Sequence, residues 1–169
     1  MKSTILRCFT KFLLITSVLS FPATFAATPS PQSAPNIGVS GALSVDKMQP
    51  GRPVRAVVVM DIPAGFHVHS NRPLEKFLIA TQLHVEAPKG VRVGPVVYPR
   101  AVLRNLKFSK SKVAVYEGRT TMRFKVTIPT DFGSDSTELK ARLRYQSCND
   151  EVCFPPQTRE VKIPIRIRG

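Results

Sequence analysis

The chain has 169 residues, with 25 basic against 11 acidic side chains, a formal charge of +14, three cysteines and no tryptophan. That length holds one domain with a sizeable core. A basic cytoplasmic protein would point to nucleic acid, but the first residues argue for export and so against a nucleic-acid partner.

Lys2, Arg7 and Lys11 precede an apolar run, Phe12 to Phe21, of signal-core length and too short to span a bilayer comfortably. Thr24-Phe25-Ala26-Ala27 places small residues for cleavage after Ala26. Residues 1–26 therefore read as a secretory signal peptide. Cys8 precedes the apolar core, is badly placed for lipid attachment, and leaves with the signal. Residues 27–36, with Pro29, Pro31 and Pro35 and no apolar period, read as a flexible leader. Residues 37–169 read as a single domain. It holds no stretch long and apolar enough to cross a membrane. The expected product is periplasmic and not membrane-spanning after cleavage. Its charge of about +11 suits solubility, an acidic partner or an anionic surface.

The domain reads as strand and turn. Val54, Ala56, Val58, Met60 and Ile62 alternate with Arg55, Val57, Val59 and Asp61. The same period of two runs through Met122–Ile128, Leu139–Tyr145 and Val161–Ile167, which predicts strands with one buried and one wet face. Shorter candidates are Val39–Val45, Leu83–Ala87, Val91–Val97 and Val113–Tyr116. Pro63-Ala64-Gly65 fits a type I turn with proline second and glycine fourth, and Pro88-Lys89-Gly90 repeats the spacing. Pro50-Gly51 and Phe132-Gly133-Ser134-Asp135 mark further turns. Many short strands with frequent turns predict an all-β, immunoglobulin-like β-sandwich, although the tryptophan and widely spaced cysteines of antibody domains are missing. Ser70–Thr81 and Arg100–Lys112 are long for hairpin loops, and long loops in compact domains often carry function.

The two cysteines of residues 27–169 lie in Tyr145-Gln146-Ser147-Cys148-Asn149-Asp150-Glu151-Val152-Cys153-Phe154-Pro155-Pro156. Asn149-Asp150 is a turn signal, so Cys148 and Cys153 can face each other within disulfide range. A lone cysteine pair in an exported domain is commonly a structural staple. Against that, the loop closed is about six residues and contributes only roughly 2 kcal/mol. The parity of Leu139–Tyr145, continued, puts Cys148 outward with Arg142 and Arg144, where another protein's thiolate could reach it. Those arginines favour a thiolate; Asp150 and Glu151 oppose it. Pro155-Pro156 should end any ladder after Cys153. The residues alone leave the staple and the redox pair both open.

Tyr145-Gln146-Ser147-Cys148 … Val152-Cys153-Phe154-Pro155-Pro156 resembles the amino-terminal periplasmic domain of the thiol:disulfide interchange protein DsbD, the disulfide bond corrector family. Gly65-Phe66-His67-Val68-His69-Ser70-Asn71-Arg72-Pro73 and Phe108-Ser109 … Val115-Tyr116-Glu117-Gly118 fit the same family, over roughly residues 38–167. The resemblance implies an immunoglobulin-like sandwich whose cysteine pair relays electrons without a cofactor. The donor is membrane-embedded or thioredoxin-like, such as a membrane-embedded thiol reductase, and the acceptors are thioredoxin-fold proteins outside the cytoplasm. It assigns mixed-disulfide formation to Cys153 and resolution to Cys148. Leu106–Lys112 falls at a shielding cap loop, with Phe108 as the cap aromatic. The pathway served, including cytochrome maturation, stays open. Full-length members carry a membrane domain and a thioredoxin domain that this sequence lacks.

His67 and His69 share one face of a strand if that strand is regular. They are expected to line the rim of the cysteine site together with Tyr145. The alternative is a zinc or copper set of His67, His69, Cys148 and Cys153. His84, on another strand, reads as a surface residue. A plain binding module with an inert disulfide is the third reading.

Overall fold

A computed structural model describes residues 33–168 of the chain. The signal-peptide reading of residues 1–26 and leader residues 27–32 lie outside the described residues. Within them Pro35 is already buried and Ile37 is a core residue, so the leader's last residues lie against the domain.

The described chain is all β and adopts the immunoglobulin-like sandwich class. Its strands are β1 (Gly38–Leu43), β2 (Val54–Asp61), β3 (His67–His69), β4 (Gln82–Glu86), β5 (Arg92–Val93) and β6 (Val102–Arg104). They continue as β7 (Val113–Tyr116), β8 (Arg119–Thr127), β9 (Ser136–Tyr145), β10 (Ser147–Cys148) and β11 (Gln157–Arg166). Three antiparallel sheets run β1-β2-β8-β5, β11-β9-β4 and β10-β3-β7-β6. The first two carry the long strands and supply most of one continuous core. Ala56, Val58 and Met60 of β2 and Met122, Phe124 and Val126 of β8 meet Leu139, Ala141 and Leu143 of β9 and Ile163 and Ile165 of β11. Burying side chains of this size contributes about 1.5–3 kcal/mol each before entropy is charged against it. Gly41 lets β1 lie close over β11: a Cβ there would stand 2.6 Å from Ile163 Cγ1.

The turns differ by one residue from the sequence expectation. Phe66 N donates to Pro63 O (3.2 Å) and Val91 N to Pro88 O (3.1 Å), so each proline opens its turn and each glycine is third. Gly65 and Gly90 have φ of 80° and 88°, the left-handed value a type II turn needs at that position. The stretch Val91–Val97 supplies only the two-residue β5 and a bridge from Val97 to Arg123.

The third sheet is short and holds the cysteine segment. Three of its strands were not among the predicted runs, being two or three residues long: β3, β6 and β10. Pro155-Pro156 interrupts the ladder without ending it. β11 begins at Gln157, paired with Tyr145, and runs ten residues back along β9. Residues 146–156 are thus an excursion between two paired strands, and during it the chain leaves the β9 sheet for the β3 sheet.

Candidate functional site

Cys148 and Cys153 are joined by a disulfide and face each other as an antiparallel bridge. The turn between them is built by Asn149. Its Oδ1 accepts from Glu151 N (2.8 Å) and Val152 N (2.7 Å), while its own N–H donates to Val152 O (2.9 Å). This is the side-chain-mimicked turn for which asparagine is suited. Phe154 N donates to Ser147 O (2.9 Å) and Gln146 Nε2 to Phe154 O (3.0 Å), closing the base of the loop. Phe154 is buried, its ring tilted against Phe66.

The expected outward position of Cys148 is wrong. Cys148 is fully buried, and Cys153 is the half-buried member of the pair. The parity of β9 holds through Tyr145, but the chain then switches sheets at Gln146, and alternation counted along β9 no longer applies. Nor do Arg142 and Arg144 form a cationic face for Cys148. Arg142 pairs with Glu86 (2.9 Å) and Glu160 (3.1 Å) on the β4–β9–β11 surface.

β3 lies beside β10, with Cys148 opposite His67 and Ser147 opposite Val68. Val68 turns into the main core, so His67 and His69 share the other face, and His69 is the diagonal neighbour of Cys148. Their surroundings then differ. His69 is fully buried, with Nε2 3.2 Å from Cys148 Sγ and 3.7 Å from Cys153 Sγ. Burial pushes its pKa below the usual imidazole value, against a weaker opposing interaction with the Ile79 backbone. His69 Nδ1 is buried, and among the described residues no hydrogen bond of ordinary geometry reaches it, the Ile79 contact being a weak one. His67 instead sets Nδ1 2.8 Å from Glu117 Oε1 and Nε2 3.0 Å from Asp150 Oδ1. Arg104 grips Glu117 through both carboxylate oxygens at 2.6 Å, which with the His67 contact holds the Glu117 pKa below its usual value against partial burial. A polar chain Arg104–Glu117–His67–Asp150 therefore ties the cysteine loop to β3, β6 and the end of β7.

The four-residue metal set is not assembled. Of its members the structure brings together His69, Cys148 and Cys153, and both His67 nitrogens face carboxylates. Tyr145 packs in the main core, fully buried, and its hydroxyl donates to Gln157 Oε1 (3.0 Å); its neighbour Gln146 borders the cysteines. His84 is exposed on β4.

Two loops cover the outer face of the short sheet. Leu78 from residues 70–81 and Leu106 from residues 105–112 pack on Val113 and Val115 of β7, with Phe108 against them. Lys107 N donates to Asp150 O (2.8 Å), and Lys107 Nζ reaches Glu151 (2.9 Å), so this loop is latched to the cysteine loop. Ser111 Oγ donates to Glu75 Oε1 (2.8 Å), joining the two loops. Between them a cavity of about 210 Å³ is lined by Phe77, Leu78, Phe108, Gln146 and Cys153. Phe77, 70% exposed, was not singled out from sequence. The signal available was the length of the Ser70–Thr81 loop, within which one aromatic residue stands. A larger hollow of about 590 Å³, lined by Arg55, Val97, Arg123 and Lys125 among others, shares no residue with the cysteine site.

The family described as thiol:disulfide interchange protein DsbD, N-terminal, matches residues 40–165. Among solved structures, the Neisseria meningitidis DsbD n-terminal domain in its reduced form is 17% identical, with 66% of this chain and 77% of that one covered and a TM-score of 0.44. The N-terminal periplasmic domain of ScsB from Proteus mirabilis is 12% identical over 75% of this chain, at a TM-score of 0.50. That match spans 44% of the ScsB chain. No curated protein sequence matches. With three quarters of its length under one family match, this chain belongs to the family of DsbD amino-terminal domains.

Proposed function

We propose that the chain is an exported thiol–disulfide relay that works in the periplasm through Cys148 and Cys153. The observation that carries the reading is the asymmetry of the disulfide: Cys148 is sealed, while Cys153 lines a small cavity between Phe77 and Phe108. Thiol–disulfide exchange needs an attacking thiolate in line with a reachable sulfur, and only Cys153 borders open space. A donor thiolate attacks Cys153 Sγ, the Cys148–Cys153 bond breaks, and Cys148 leaves as the thiolate. The donor's second thiol then attacks the mixed disulfide and departs oxidised, leaving both cysteines reduced. In the output half, the Cys153 thiolate attacks the disulfide of a thioredoxin-fold acceptor. Cys148 then attacks Cys153 Sγ, re-forming the internal disulfide and releasing the acceptor as a dithiol. Two electrons pass, and no cofactor is needed.

The donor class that the family resemblance suggests is a membrane-embedded thiol reductase. The cap formed by residues 105–112 restricts approach to Cys153, which favours partners able to displace Phe108. The deciding experiment is the reduction potential of the pair, by equilibration with glutathione and dithiothreitol. A value of roughly −200 to −270 mV supports exchange, whereas one below about −300 mV marks a structural bond and defeats the reading.

A further inference from the structure

We propose that the reduced Cys148–Cys153 pair and His69 form a three-donor site for a soft monovalent metal ion, copper(I). The donor atoms of these three residues already lie within 4.8 Å of one another, on three segments fixed by β3, β10 and the Asn149 turn. Planar three-coordination with metal–sulfur and metal–nitrogen bonds of about 2.3 and 2.0 Å requires nitrogen–sulfur edges of about 3.7 Å and a sulfur–sulfur edge of about 4.0 Å. His69 Nε2 stands 3.2 and 3.7 Å from the two sulfurs. Only the sulfur–sulfur edge has to open, and reduction of the disulfide opens it.

The donor set selects the metal. Zinc takes four ligands, so with three protein donors it needs a water as the fourth, whereas copper(I) is satisfied by three. Among the described residues no fourth histidine, cysteine or carboxylate joins the three, because His67 is held between Glu117 and Asp150. Two thiolates and one imidazole suit a soft ion content with three ligands. The surroundings suit it as well. Cys148 and His69 are shut off from solvent, and Cys153 opens only onto the cavity lined by Phe77 and Phe108.

The step balances without an oxidant: one copper(I) ion replaces two thiol protons, which pass to solvent, and the metal keeps its oxidation state. Binding requires the dithiol and is excluded by the disulfide. Metal occupancy therefore holds the pair out of electron transfer, and an acceptor disulfide can oxidise the pair only after the metal has left.

The test is an anaerobic titration of the dithiothreitol-reduced, desalted chain with copper(I), using bicinchoninate as competitor. One copper per chain is expected, with none retained by the oxidised chain. Loss of a ligand should cost at least the roughly tenfold in affinity that loss of an outer-shell partner costs, so His69→Phe should bind at least that much more weakly. Copper X-ray absorption of the unaltered chain gives a check that does not depend on a variant folding, with one nitrogen and two sulfur neighbours expected. Linear coordination by two sulfurs alone, unchanged affinity in His69→Phe, or displacement of copper by equimolar zinc overturns the proposal. The relay stands or falls separately, on the potential of the metal-free pair.

Discussion

The long-stranded sandwich and the short sheet of the cysteine site bury their residues by different rules. In β8, Thr120, Met122, Phe124 and Val126 are buried while Arg119, Arg123 and Lys125 are exposed, one face per sheet. In β7, all four residues from Val113 to Tyr116 are buried, and β10 is buried at both positions. Tyr116 turns into the main core, whereas Val113 and Val115 face Leu78, Leu106 and Phe108 from the loops above. β8, β9 and β11 leave their second face largely to water; the short sheet has its second face covered by loops. A disulfide placed under such loops is shielded without belonging to the core, so the chemistry can be altered with little cost to the fold.

That contrast is broken most directly by a pair of variants. Leu143→Ala removes a fully buried side chain from the main core and should destabilise the domain by about 2–5 kcal/mol in denaturant unfolding. Thiol exchange by the molecules that remain folded should be unchanged. Cys148→Ala/Cys153→Ala should cost less than about 2 kcal/mol and abolish exchange entirely. If the cysteine variant loses as much stability as Leu143→Ala, the disulfide is a staple of the core and the distinction between the two regions fails.

The same division governs how much was legible in the sequence. Strands wet on one face write their burial as a period of two, and β2, β8, β9 and β11 all lie on the predicted runs. The cysteine turn was readable from Asn149-Asp150 because its chemistry is local. The position of Cys148 was not, because the switch of sheets at Gln146 leaves no periodic mark. His69 and His67 were placed on one face by spacing alone. What separates them, sulfurs for one and carboxylates for the other, depends on Glu117 and Asp150 arriving from elsewhere in the chain. Phe77 went unnoticed since a loop aromatic has no pattern, and only folding sets it opposite Phe108.

The loops sharpen the comparison at a smaller scale. Phe108 is half-buried on the Leu78–Leu106 cluster, and Phe108→Ala should cost about 1 kcal/mol in stability. Its larger effect should be kinetic: the disulfide should be reduced several-fold faster by small thiols in stopped-flow assays, because the cavity over Cys153 loses one wall. An unchanged rate would mean that the cap does not limit access.

The smallest effect concerns the polar chain that anchors the cysteine loop. The Arg104 contacts, and then that of His67, hold the folded Glu117 carboxyl below the ordinary value of 4.5. A carboxyl with a depressed folded pKa stabilises the native state fully above its unfolded pKa and loses that contribution as pH falls through the folded one. The unaltered chain should therefore melt a few degrees higher than Glu117→Gln at neutral pH. The gap should narrow once the pH drops below 4.5. Both partners of the ion pair are partly in water, so added salt should narrow it too. A gap that persists in acid would assign the stabilisation to hydrogen bonds that the amide does not reproduce, rather than to the charge on Glu117.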